Sequence, residues 1–148
     1  MFKINILVKK LKENAVIPTR GSEKAAGYDL YAVIDSGSVI IPPHKTVPVG
    51  TGLAFALPDG YFGAIFARSG LATKQSLRPA NCVGVCDSDY RGEYIIPLHN
   101  DSDEEKTINT GDRIAQLVIM PFLPATFDET DTLDDTQRGT GGFGSTGK

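Results

Sequence analysis

The last eleven residues of the chain, 138–148, have a composition suited to holding a polyphosphate. Five of the first ten are glycine, which lets backbone N–H groups converge on an anion. Ser145 and Thr146 add hydroxyl donors, and the forked guanidinium of Arg138 matches phosphate oxygens. Phe143, the only large apolar residue of the segment, suits stacking on a flat base. Composition leaves two interpretations open: a lid over a nucleotide polyphosphate, or a disordered chain end.

A second candidate site lies in the segment 81–98, where an apolar run leads into a polar turn and another apolar run returns. The pattern predicts a β-hairpin whose backbone donors and acceptors would read the edge of a base. The Asn81 amide would add to that recognition, and Tyr90 would pack on a sugar. Asp87 and Asp89 flank a serine at the turn. Because Asp, Ser and Gly are also ordinary turn residues, a purely structural turn is the alternative.

Three further positions carry groups suited to a phosphate or a metal. Arg68 precedes a short predicted helix at Ser69–Gln75, in which Ser69 would be the N-cap and the first amides would face an anion. Read alone, Arg68 is equally well explained as a surface charge. Gln116 interrupts a very apolar run and would either face a ligand or satisfy a backbone group. Asp29 is either a turn partner or part of the outer shell of a metal.

Composition limits the class of partner. The chain has 148 residues, the size of one domain, and its 15 Lys and Arg against 18 Asp and Glu give a net charge of −3. This charge disfavours general nucleic-acid binding, so a polyanion should bind at a local positive cluster. With no signal peptide and no long apolar run, we expect a soluble cytoplasmic protein without membrane contact. Cys82 and Cys86, four apart in a strand-like run, would lie too far apart for a disulfide and are expected to be structural thiols.

Short apolar runs separated by turn residues indicate that strands position these groups. The predicted strands lie at residues 2–8, 28–33, 39–41, 47–57, 61–67, 82–86, 93–99 and 113–122. Regularly spaced short strands favour an all-β sandwich, jelly roll or barrel. Along the chain, we expect a β domain at 1–127, an acidic linker at 128–137 and a flexible glycine-rich arm at 138–148.

Five segments, taken together and in order, resemble the five motifs of the trimeric deoxyuridine triphosphatases (dUTPases). They are AAGYDLYA, ARSGLA, NCVGVCDSDYRGE, GDRIAQLVI and RGTGGFGSTG, and they extend from residue 25 to residue 147. The resemblance implies an all-β, jelly-roll-like (β-clip) subunit and a homotrimer whose active sites are shared between subunits. It also implies hydrolysis of dUTP to dUMP and pyrophosphate, with Mg²⁺ bound to the triphosphate. Such an enzyme limits uracil incorporation into DNA and supplies dUMP for dTMP synthesis.

The resemblance assigns roles residue by residue. Asp87 would be the general base that orients the attacking water, Tyr90 would exclude a 2′-hydroxyl, and Phe143 would cover the uracil. The residues expected to read the base are Asn81, Gly84, Val85, Cys86 and Ile95. Those expected to bind phosphates are Arg68, Ser69, Gly70, Gln116, Arg138, Gly144, Ser145 and Thr146. No direct metal ligand is expected, and Asp29 would reach Mg²⁺ only through water. Cys86 stands where the family commonly has isoleucine, so slightly looser packing is expected there.

Two other functions fit parts of this pattern. A dCTP deaminase has a similar fold but would need an acid/base residue at the pyrimidine C4 and a different arginine pattern after ARS. A member of the family acting also as a regulatory binding protein would need a partner, for which segments 101–106 and 128–135 offer exposed charge. Release of ammonia from dCTP distinguishes the first alternative from a dUTPase.

Overall fold

The computed structural model describes residues 3–144 and is dominated by short strands. Proline, glycine and aspartate occupy the turns between them, as their backbone preferences favour. The strands are β1 Leu7–Lys10, β2 Tyr28–Tyr31, β3 Ser38–Ile41, β4 Thr46–Gly50, β5 Leu53–Ala56, β6 Tyr61–Phe66, β7 Leu77–Pro79, β8 Val83–Cys86, β9 Ile95–Asn100, β10 Lys106–Asn109 and β11 Arg113–Pro121. A short helix, α1 Ser69–Gln75, lies between β6 and β7. The prediction of an all-β subunit with one short helix is confirmed.

The strand pairs are antiparallel. The largest sheet has the order β2-β11-β6-β8, and a second sheet has the order β4-β9-β7. The remaining pairs among the described strands are β1 with β5 and β3 with β10. The nine-residue β11 is an inner strand of the largest sheet, whereas β8 lies at its edge. One side of β8 therefore keeps backbone groups without strand partners.

Apolar side chains from these sheets fill a single core. Leu30 of β2, Ile96 of β9 and Ile114 of β11 are fully buried within it. Burial of such a side chain contributes about 1.5–3 kcal/mol to stability. The buried amide of Asn100 donates to two backbone carbonyls and accepts two hydrogen bonds from Ser102. Its burial is therefore compensated, as buried polar groups require.

Several strand boundaries differ from those predicted. The run at 47–57 forms two strands, because Gly52 has a φ of +66° and turns the chain between β4 and β5. The first strand begins at Leu7 instead of residue 2, which lies outside the described residues. β7 and β10 were absent from the prediction because LRP and KTIN contain too few apolar residues to show alternation. Cys82 has a φ of +55° and precedes β8, so it shares no strand with Cys86, and both thiols are free.

The chain beyond β11 lacks the regular secondary structure of the preceding residues, as far as residue 144. Residues 122–144 form neither helix nor strand, and residues 122–140 are all exposed. The division into a β domain, an acidic linker and an arm remains a prediction. None of the helices in residues 3–144 has the length and apolar character needed to cross a membrane.

Candidate active site

A pocket of about 260 Å³ lies between β8 of the largest sheet and the start of β9 in the second sheet. The predicted β-hairpin is wrong, because β8 pairs with β6 whereas β9 pairs with β4 and β7. The segment 81–98 instead crosses from one sheet to the other, which leaves a cleft between two strands. Sequence alternation identifies strands but not their partners, so the hairpin was the simplest expectation. We call this cleft the base pocket, after the role that the sequence predicts for its residues.

The base pocket brings together all the residues expected to read a base within the described chain. They are Asn81, Gly84, Val85, Cys86 and Ile95. A Cβ atom at position 84 would lie 3.2 Å from Nδ2 of Asn81 and 3.1 Å from the Cβ of Ile65. Glycine at this position therefore lets the Asn81 amide lie close against β8. Beside that amide, the unpaired edge of β8 offers the backbone donors and acceptors of a strand.

The Tyr90 ring also lines the base pocket and is half exposed. Its hydroxyl donates to the carbonyl oxygen of Glu93 at 3.0 Å. A Cβ atom on Gly92 would collide with the phenolic end of this ring, so only glycine allows the ring to lie there. The Glu93 side chain is fixed in turn, because its Oε1 accepts from the backbone N–H of Gly52 at 2.7 Å. These contacts hold Tyr90 at the mouth of the pocket.

Asp87 follows the last residue of β8 and lines the same pocket with its side chain exposed. The turn after it is closed by the Tyr90 N–H, which donates to the Asp87 carbonyl at 3.2 Å. Arg91 supports the turn by donating to the Ser88 carbonyl at 2.6 Å. Hydrogen bonds within the turn thus use backbone oxygens and leave the Asp87 carboxylate available to accept one from water.

Tyr94 is a pocket residue that the sequence did not single out, because a tyrosine in an apolar run is indistinguishable from a core residue. Its side chain is buried, and burial, with the neighbouring Cys86, raises the pKa of its hydroxyl far above the ordinary value. Burial likewise raises the pKa of the Cys86 thiol, against a smaller lowering by the Tyr94 hydroxyl. At neutral pH the thiol is therefore protonated and unreactive.

A second pocket lies where β2, the end of β6 and β11 come together. Asp29 and Gln116 are direct partners across β2 and β11, so their side chains share one face of the sheet. Arg68 donates from Nε to Oδ1 of Asp29 at 2.8 Å, and Arg113 donates to Oδ2 at 3.3 Å. The Asp29 side chain is only 13% exposed, so it holds both guanidinium groups in a partly desolvated cluster. We call this cleft the phosphate pocket, after the role that the sequence predicts for Arg68, Ser69, Gly70 and Gln116.

Gln116 does two things in the phosphate pocket. Its Nε2 donates to the Ala67 carbonyl at 2.8 Å, so it satisfies a backbone group, as one of the two interpretations expected. Its Oε1 lies against Gly27, where any Cβ would collide with it. Gln116 nonetheless lines the pocket with Arg68, Ser69 and Gly70. The amide thus fixes the strand end from which Arg68 projects.

The N-cap prediction for Ser69 is wrong. The cap position is Arg68, which has extended backbone angles and makes no side-chain capping bond, and Ser69 is the first helical residue. The helix therefore begins with amides that no side chain caps. The Ser69 carbonyl accepts from the Thr73 hydroxyl at 2.7 Å. Ser69 and Gly70 are exposed at the phosphate pocket, which leaves their polar groups open to a ligand.

The described part of the glycine-rich arm contacts neither pocket in this chain. Arg138 Nε donates to the Gly141 carbonyl at 2.8 Å, and Gly139 donates to Thr136, so these contacts are local. Phe143 is fully exposed. Gly144 has a φ of +88°, a conformation that favours glycine. The roles expected for Ser145 and Thr146 concern residues outside the described part of the chain.

Comparisons with known proteins agree on one family. The family model for dUTPase matches residues 13–147. The chain is 47% identical over 144 residues to a deoxyuridine 5′-triphosphate nucleotidohydrolase of Hydrogenobaculum, covering 97% of this chain and 99% of the relative. It is 48% identical over 140 residues to the Arabidopsis thaliana protein of the same name, covering 95% and 81%. Its fold is similar to that of a Staphylococcus bacteriophage 80alpha dUTPase mutant with dUpNHpp, with a TM-score of 0.87, 28% identity and 97% and 99% coverage. The jelly-roll-like (β-clip) fold is thereby confirmed.

Proposed function

The chain belongs to the dUTPase family, and we propose that it hydrolyses dUTP to dUMP and pyrophosphate with the two pockets as halves of the active site. It is accordingly a nucleotide hydrolase. The observation that carries the proposed site is the base pocket, in which an unpaired strand edge, an amide, a tyrosine ring and a carboxylate converge. As part of the proposal, the enzyme is cytoplasmic, limits uracil incorporation into DNA and supplies dUMP.

The base pocket suits a pyrimidine whose edge carries both donors and acceptors. Uracil presents the pattern of acceptor, N–H donor, acceptor, which an unpaired strand edge can match with alternating N–H and C=O groups. The Asn81 amide beside Gly84 adds a donor and an acceptor. The Tyr90 ring at the mouth of the pocket would lie against the deoxyribose and leave no room for a 2′-hydroxyl. The arm would then bring Phe143 over the base.

The phosphate pocket is a local positive cluster on a chain whose net charge is negative. Arg68, oriented by Asp29, and the exposed start of α1 would bind phosphate oxygens. Arg138, Gly144, Ser145 and Thr146 of the arm would bind the far end of the triphosphate. Within residues 3–144, no three His, Cys, Asp or Glu side chains form a metal-binding group. As the resemblance implies, Mg²⁺ would be held by the triphosphate itself and would neutralise its charge, with Asp29 reaching it only through water.

Hydrolysis needs one positioned water. Asp87 would accept a proton from that water as its oxygen attacks the α-phosphorus, and the bond from the α-phosphorus to the bridging oxygen would break. Pyrophosphate leaves, and dUMP remains in the base pocket. Among residues 3–144, the exposed Asp87 carboxylate forms no salt bridge, which supports this role because a salt-bridged aspartate would be a weaker base.

A homotrimer with shared sites is the assembly that we propose. The base and phosphate pockets have no lining residue in common, and the described arm residues contact neither pocket. Exposed apolar side chains at Leu7, Leu123 and Phe127 support burial against other subunits. In such an assembly, the base pocket of one subunit meets the phosphate pocket of another and the arm closes over both.

Pyrophosphate release from dUTP, measured beside dTTP, dCTP and UTP with and without Mg²⁺, tests this function. Release should be fastest from dUTP and should fall when Mg²⁺ is chelated. Ammonia release from dCTP should be absent. Equal rates with all four nucleotides would contradict a pocket selective for uracil and deoxyribose, and ammonia release would favour the deaminase alternative.

A further inference from the structure

Tyr94 connects the two parts of the base pocket that the proposed function uses most. Its ring centroid lies 6.1 Å from that of Tyr90 and 4.5 Å from that of the core residue Phe55. Its buried hydroxyl reaches the strand end that carries Cys86 and Asp87 and lies beside the Cys86 thiol. A single rigid side chain thus contacts both the tyrosine at the pocket mouth and the strand that holds the carboxylate.

The hydroxyl of Tyr94 occupies a slot left by two small residues. Gly63 and Cys86 are direct partners across β6 and β8. A Cβ atom on Gly63 would lie 3.1 Å from the Tyr94 Oη and 3.5 Å from the Cys86 Cβ. The Tyr94 hydroxyl and Cys86 therefore lie on either side of Gly63, and the looser packing expected from Cys86 remains a prediction.

The ring of Tyr94, and not its hydroxyl, is the part of the side chain that contacts Tyr90. The hydroxyl lies beside the Cys86 thiol, and phenylalanine would present the same ring to Tyr90. The ring supports Tyr90, whose other restraints are the Glu93 carbonyl and the absence of a side chain at Gly92. Movement of the Tyr94 ring would therefore release Tyr90 toward the base pocket or away from it.

We propose that Tyr94 is a positioning residue for sugar selectivity, holding the Tyr90 ring at a set distance from β8, and that Cys86 is its matched partner in the slot. This inference rests on the proposed roles of Tyr90 and Asp87. In this proposal, Tyr94 acts through Tyr90 and does not itself touch the substrate.

A double-mutant cycle with Cys86→Ile and Tyr94→Leu tests the pairing. Tyr94→Leu should raise the UTP/dUTP ratio of kcat/KM roughly tenfold, the lower end of what a reshaped apolar pocket produces. Cys86→Ile should overpack the slot and lower kcat for dUTP, since it displaces the strand end that carries Asp87. In the double variant, the UTP/dUTP ratio of kcat/KM and the kcat for dUTP should both return to within about threefold of the parent. The larger side chain at position 86 would compensate for the smaller one at position 94.

Two further variants separate positioning from loss of stability. Tyr94→Phe keeps the ring, so its UTP/dUTP ratio should stay within about twofold of the parent. Ile108→Ala on β10 removes a buried side chain that lines neither pocket, so its Tm should fall without a change in the ratio.

The outcomes are distinguishable. An unchanged ratio in Tyr94→Leu, or effects that simply add in the double variant, would overturn the inference if Tyr90→Ala does alter the ratio. If the UTP/dUTP ratio of kcat/KM is unchanged in Tyr90→Ala as well, sugar selectivity does not depend on the base pocket. The proposed role of Tyr94 would then also be refuted. A parent protein that releases no pyrophosphate from dUTP would instead refute the proposed function.

Discussion

At the scale of single residues, the central feature is a carboxylate placed where a strand ends. Asp87 is exposed at the rim of the base pocket, and the turn that follows it is stabilised through backbone oxygens. The Asp87 side chain is thereby positioned by the end of β8, while the cited hydrogen bonds of the turn are accepted by backbone oxygens.

Asp87→Asn should remove most turnover while dUTP still binds. The amide keeps the size of the carboxylate but cannot accept the proton of the attacking water, and loss of a general base lowers the rate about 10²–10⁴-fold. Single-turnover pyrophosphate release and equilibrium binding of a non-hydrolysable dUTP analogue measure the two effects separately. Near-parental turnover would reduce Asp87 to a turn residue.

Asp29→Asn should weaken substrate binding through Arg68. The carboxylate accepts from two arginines while mostly buried, and an amide cannot hold both guanidinium groups by charge. Because a charge-assisted hydrogen bond is worth about 1.5–3 kcal/mol, KM for dUTP should rise roughly tenfold or more, with a smaller change in kcat. Asp35→Asn is a matched control, since Asp35 pairs with Lys12 in an exposed position that lines neither pocket. Equal KM values in the two variants would contradict an orienting role for Asp29.

At the scale of elements, the sequence predicted structures formed by residues close in the chain, but it did not predict which strands pair. The helix was predicted at its observed bounds, although Ser69, which was expected to be its N-cap, is its first helical residue. The base-reading residues were predicted together because they are close in sequence. The pairing of β8 with β6, the slot for Tyr94 and the Asp29–Arg113 contact join residues far apart in the chain, which no local pattern reports.

Deletion of residues 138–148 should abolish most activity and leave the fold intact. The described arm residues make only local hydrogen bonds, so the Tm of the deleted protein should stay within about 2 °C of the parent's, the size expected for a loss well below 1 kcal/mol. Removal of Arg138 and Phe143 should meanwhile lower kcat/KM for dUTP. A large fall in Tm, measured by calorimetry, would show that the arm is a structural element and not a lid.

At the scale of the whole molecule, the chain carries two separate pockets. The base pocket carries the carboxylate and the phosphate pocket carries the arginines, and they share no lining residue. We propose that the two pockets act together only when subunits associate. We expect light scattering to give three times the mass of one chain, and a fully active monomer would contradict the shared site.

Complementation between two defective variants tests the shared site most directly. Asp87→Asn lacks the base, and the protein without residues 138–148 lacks the arm, so each alone should be nearly inactive. After the two are unfolded and refolded together, some sites will combine an intact Asp87 from one subunit with an intact arm from another. With mixed trimers verified through a tag on one variant, pyrophosphate release from dUTP should rise well above the sum of the two separately refolded proteins. Release equal to that sum would show that each site is built within one subunit and would contradict the account.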